Sequence, residues 1–146
     1  MRYIFLIYSR ETDEPLSPGE LERIASEHRA LMSEAGQKGI LLGCEKLKPT
    51  RSATTVRTKD GLPITMDGPF AETKEQLAGY YILDCKDLNE AIDWAKRIPT
   101  TCQGGDGSVE IRPVEDMQRI RMPGDPNALV ESLAESVFRQ ESGRFE

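Results

Sequence analysis

Histidine occurs once in this chain, at position 28, and cysteine three times, at 44, 85 and 102. One imidazole and three scattered thiols have no close ligand spacing, so they make no four-ligand zinc set. Neither a metal nor any other cofactor is expected. An odd, widely spaced set of cysteines is also no disulfide framework, and reduced thiols in a cytoplasmic protein are expected. Long apolar runs are missing. The opening MRYIFLIYSR is too short, and too soon followed by charge, for a signal peptide or a membrane span. A cationic surplus is missing as well: the formal net charge is -6. An acidic surface repels phosphate backbones, so neither nucleic acid nor a membrane is expected as a partner. The glycine cluster at 104–107 precedes an expected strand rather than a helix, and no Lys-Ser/Thr follows it. It therefore lacks the helix terminus of a phosphate loop.

What is present is a set of alternating and helical patterns within 146 residues, enough for one ordinary domain. Residues 2–8 read as a strand with both faces apolar: Tyr3, Phe5 and Ile7 on one, Ile4, Leu6 and Tyr8 on the other. Ser17-Pro18-Gly19-Glu20 opens a helix as N-cap, first-turn proline and capping box. Leu21, Ile24, Ala25, His28, Leu31, Met32 and Ala35 draw its apolar stripe, and Gly36 and Gly39 close it. A second strand is expected over 40–47. A hairpin turns about Asp60-Gly61, and a strand runs over 78–85. Asp87 caps a second helix whose inner side is expected to carry Leu88, Ala91, Ile92, Ala95 and Ile98, with Pro99 stopping it. A last strand is expected over 108–114.

The order β-α-β, hairpin, β-α-β is the ferredoxin-like split βαβ plan with an inserted hairpin, an α+β fold. Two helices cover one face of such a sheet. The other face is also apolar, so a second sheet should pack on it, most economically in a two-fold homodimer. Residues 117–146 are expected to be a linker followed by an amphipathic C-terminal helix with Leu129, Val130, Leu133, Ala134, Val137 and Phe138 as its seam. A helix of that length is marginal alone and must dock on something.

The segment Asp67-Gly68-Pro69-Phe70-Ala71-Glu72-Thr73-Lys74-Glu75 resembles the DGPF signature of the YCII-related family. Tyr3-Ile4-Phe5-Leu6-Ile7-Tyr8, Thr54-Thr55-Val56-Arg57, Gly79-Tyr80-Tyr81 and the run from Gly107 to Val114 extend the likeness over residues 1–116. The resemblance implies a dimeric α+β barrel. It also implies that His28 and Asp67 hold the positions of a histidine and an aspartate that face a cleft. The run from Leu133 to Arg144 is similar to the first helix of an extracytoplasmic-function sigma factor. That likeness implies a regulatory or interaction module with a sigma factor as partner.

His28 lies on an apolar stripe, so its ring nitrogens need partners. An aspartate bonded to one nitrogen would fix the tautomer and leave the other for proton transfer, the minimum of a cofactor-free acid–base or hydrolytic site for a small molecule. A backbone carbonyl could satisfy the same ring without any chemistry. Asp67 has a plainer use too, since Asp-Gly-Pro is turn chemistry. Tyr8, Phe70, Tyr80 and Tyr81 are candidates to line the cleft, although sheet aromatics more often serve packing. Arg112 could grip a substrate carboxylate, or form a surface ion pair. Cys85 ends an apolar strand and reads as core.

Overall fold

The computed structural model describes residues 1–100 and 106–115. In chain order these form β1 (Arg2–Ser9), α1 (Pro18–Gln37), β2 (Leu41–Lys46), a single 3-10 turn (Thr50–Ser52), β3 (Thr54–Lys59) and β4 (Leu62–Asp67). β5 (Gln76–Asp84), α2 (Leu88–Ala95) and β6 (Gly107–Pro113) follow. The linker and helix expected over 117–146 lie outside the described residues, as do Gly104 and Gly105 of the glycine cluster. No helix among the described residues is long and apolar enough to cross a membrane.

Four strands make one antiparallel sheet in the order β2-β5-β1-β6. This is the split βαβ order: each helix connects two parallel strands that flank a third. β1 sits between β5 and β6 because its two-sided apolar pattern suits an interior position. Alternation sends Tyr3, Phe5 and Ile7 of β1 and Tyr81 and Leu83 of β5 to the helix side. There they pack with Leu31 and Ala35 of α1 and with Ala91, Trp94 and Ile98. Ile4, Leu6, Tyr80 and Ile82 point the other way and stay half-buried.

The start of α1 follows the sequence closely. Ser17 has extended backbone, and its hydroxyl oxygen accepts the Glu20 N–H at 3.3 Å. The Glu20 carboxylate reaches back to the Ser17 hydroxyl rather than to its backbone, at 3.2 Å. Gly36 lies inside the helix; the reversal falls at Gly39, whose φ is +69°. That left-handed backbone favours glycine.

The second helix corrects the expected stripe. Asp87 caps it by accepting the Glu90 N–H at 2.9 Å. Leu88 and Ile92, however, are exposed, and the buried side carries Ala91 and Trp94. The regular helix stops at Ala95, and a turn carries Ile98 into the core ahead of Pro99. Trp94 decides this orientation, because its ring is the largest apolar surface the segment can bury. Arg97 and Lys38 lie over its ring at 4.8 and 5.3 Å from the centroid. Both cations also engage Glu34 of α1, which ties the ends of the two helices together. These two hydrogen bonds hold the Glu34 carboxyl at about 2.

β3 and β4 form a separate two-stranded sheet. Asp60 (φ 50°) and Gly61 (φ 76°) both take left-handed backbone, as a two-residue primed turn demands. β4 is exposed along its length.

Candidate active site

The register of β1, β5 and β2 sets out the floor of a cleft. Phe5, Tyr81 and Cys44 stand in one cross-strand row, and Ile7, Gly79 and Lys46 in the next. Both rows face α1. Gly79 is required there: a Cβ would stand 2.5 Å from the Glu45 carbonyl oxygen and 3.4 Å from the Lys46 Cα. The residue thus lets β2 approach β5 closely, a common reason for glycine inside a strand. It also leaves the sheet without a side chain between Ile7 and Lys46.

Over this floor α1 lays Leu21, Ile24, Ala25, His28 and Met32, a stripe along roughly its first four turns. With Leu16 and Pro18 at one end and Pro99 and Thr100 at another, they bound a cleft of about 790 Å³. That is ample for a small organic molecule, since ligand pockets commonly hold about 300–1,000 Å³. The lining is mainly apolar, with few polar groups.

The central polar contact is between His28 and Tyr81. Nδ1 of the imidazole lies 2.6 Å from the Tyr81 hydroxyl, and the two rings run nearly parallel at 17°. Burial lowers the His28 pKa below 6.5. The Glu27 carboxylate raises it, and the Lys46 ammonium lowers it further. Burial, with Cys44 beside it, pushes the Tyr81 hydroxyl up to about 12. Near pH 7 the pair therefore holds a neutral imidazole and a neutral phenol. Either tautomer satisfies the bond. If Tyr81 donates to Nδ1, Nε2–H is a hydrogen-bond donor to a bound molecule; if Nδ1–H donates to Tyr81, Nε2 is free to act as a base. A ring whose Nε2 can take a proton from a bound molecule and return it as imidazolium, in a mostly apolar cleft, has the equipment for moving a proton.

Cys44 shares the cleft, with its thiol 3.6 Å from the Met32 sulfur. Among the described residues, no three of His, Cys, Asp and Glu come together to hold a metal ion.

A model of the YCII-related domain matches residues 1–118. The chain belongs to the YCII-related family. An uncharacterized protein of Rhizobium meliloti (strain 1021) is 40% identical over 115 residues, covering 78% of this chain and 92% of that protein.

Within this YCII-related domain the expected site residues separate. His28 is in the cleft. Asp67, its expected partner, is exposed at the end of β4, paired in register with Thr54, and does not line the cleft. Within one chain the imidazole bonds Tyr81 instead. The DGPF segment forms a turn: Gly68 has φ +88°, its N–H donates to the Ala53 carbonyl at 2.8 Å, and its own carbonyl accepts the Thr55 hydroxyl at 2.8 Å. Phe70 is 73% exposed and away from the cleft. Tyr80 borders the cleft, but alternation turns its side chain to the opposite face, where Leu6 is its neighbour. Tyr8 and Arg112 do not line the cleft; Arg112 is exposed, 3.9 Å from Glu110. Sequence reasoning gave no role to Gly79, Cys44 or Lys46. A glycine inside an otherwise apolar strand was the available signal for the first.

Proposed function

We propose that this YCII-related domain acts on a small organic molecule by cofactor-free proton transfer, with His28 as the group that gives or takes the proton and Tyr81 as its tautomeric partner. The observation that carries this reading is the 2.6 Å contact between the two side chains inside a mainly apolar cleft. A neutral imidazole is the useful form for a base near neutral pH, and its lowered pKa keeps it neutral. The reading also includes a homodimer joined through the half-buried sheet face of Ile4, Leu6, Tyr80 and Ile82.

The test is hydrogen exchange at carbon. Benzylacetone carries an apolar body and acidic protons beside a carbonyl, and deuterium entry from heavy water is read directly by NMR. Exchange above the buffer rate is expected with the native protein, and loss of most of it in His28→Gln. Tyr81→Phe should lower it less, because the base remains. Exchange no faster than buffer, or unchanged by His28→Gln, overturns the reading.

A further inference from the structure

The cleft is bordered by one cation, Lys46, that no carboxylate among the described residues pairs with. Lys46 lines it from the floor side, in the row of Ile7 and Gly79 and therefore on the α1 side of the sheet. Among the described residues it makes no ion pair. Its positive field reaches the imidazole, as its effect on His28 shows. Two carboxylates border the same cleft, and neither answers it. Glu22 is held by Arg29 at 2.6 Å. Glu45 stands opposite Tyr80 in the register, so alternation points it to the far face. Glu27, the other charge that acts on His28, is paired with Arg23 at 2.9 Å.

Ile7, Leu21, Ile24, Ala25 and Met32 offer only apolar contact. A ligand that satisfies both features has an apolar body along α1 and a negative head at Lys46. We infer that the cleft takes an amphipathic monocarboxylate, with its head on the Lys46 ammonium and its body between α1 and the sheet, beside His28. One ammonium balances one negative charge, whereas a doubly charged phosphate would leave a charge uncompensated among apolar side chains. This inference rests on the cleft being a small-molecule site, but not on the chemistry performed there.

Three probes with one body and different heads test it: hydrocinnamate, hydrocinnamyl alcohol and hydrocinnamylamine. Binding is measured by calorimetry and by displacement of the His28 ring signal, which needs no assignment because the chain has one histidine. The carboxylate should bind about tenfold tighter than the alcohol, a difference of roughly 1.4 kcal/mol, and the amine weakest. Lys46→Met should abolish the preference for the carboxylate and leave the alcohol's affinity in place. Lys46→Glu should reverse the order of carboxylate and amine. Equal binding of carboxylate and alcohol, a preference that survives Lys46→Met, or no binding of any probe overturns the inference. His28→Gln should keep the charge preference. A preserved preference without carbon exchange would therefore sink only the proton-transfer reading, and exchange without preference only this one.

Discussion

His28 makes the stability of the fold sensitive to mild acid. Its pKa in the folded chain lies below 6.5, so the unfolded chain binds the proton first as pH falls. The contribution to stability is whole above about 6.5 and is lost as pH drops from there through the lowered folded value. Urea unfolding at pH 7 and pH 5 should show a larger loss in the native protein than in His28→Gln; equal losses would mean that the ring is not desolvated. Tyr81 is tested by the ring nitrogens. Their NMR shifts report the tautomer, and Tyr81→Phe should change the balance between Nδ1–H and Nε2–H forms. His28 was legible because it interrupts a helical apolar stripe. Its partner was not. The expected Asp67 came from a family likeness, whereas the choice of Tyr81 depends on how α1 packs over β5, 53 residues on in the chain, which no local pattern encodes. Lys46 was hidden for the same reason, since only pairing with Gly79 shows which side of the sheet it serves.

β2 and α2 show how far patterns carry. Gly79→Ala would set a methyl group against the Glu45 carbonyl, with backbone rather than a flexible chain in the way. A loss of about 1–3 kcal/mol is expected, as for other overpacked sites. Chemical denaturation measures it, and an unchanged midpoint would show that β2 yields freely. In α2, Asp87→Ala should cost about 1 kcal/mol through the lost cap. Trp94→Ala should cost about 3–5 kcal/mol through its cavity. If the two losses came out alike, Trp94 would not be the anchor of this helix. The caps and the Asp60-Gly61 turn could be read directly, because each depends on a few adjacent residues. The buried face of α2 could not. Its regular part has eight residues, too few for periodicity to choose between a stripe through Leu88 and Ile92 and one through Ala91 and Trp94. Packing against Lys38, Arg97 and the core made that choice.

The α+β plan as a whole was legible because both faces of β1 are apolar and the order of elements admits few sheet topologies. The same reasoning yields the proposed homodimer. Light scattering should give twice the chain mass, and Leu6→Glu, a charge in the middle of the sheet's half-buried face, should halve it. A native protein of single-chain mass would remove the dimer from the proposal and leave the cleft intact, since His28 and Tyr81 meet within one chain. The strand order has a further consequence for how the chain acquires its structure. β1 is made first, yet its neighbours are β5 and β6, which begin only at Gln76 and Gly107. During synthesis its row of tyrosine, phenylalanine and isoleucine must wait, without a strand on either side, while most of the domain emerges. Such distant pairings slow folding and leave apolar edges open to misassociation. The nascent chain is therefore expected to depend on chaperone cover until β5 arrives, and chains cut short before residue 76 should aggregate rather than fold.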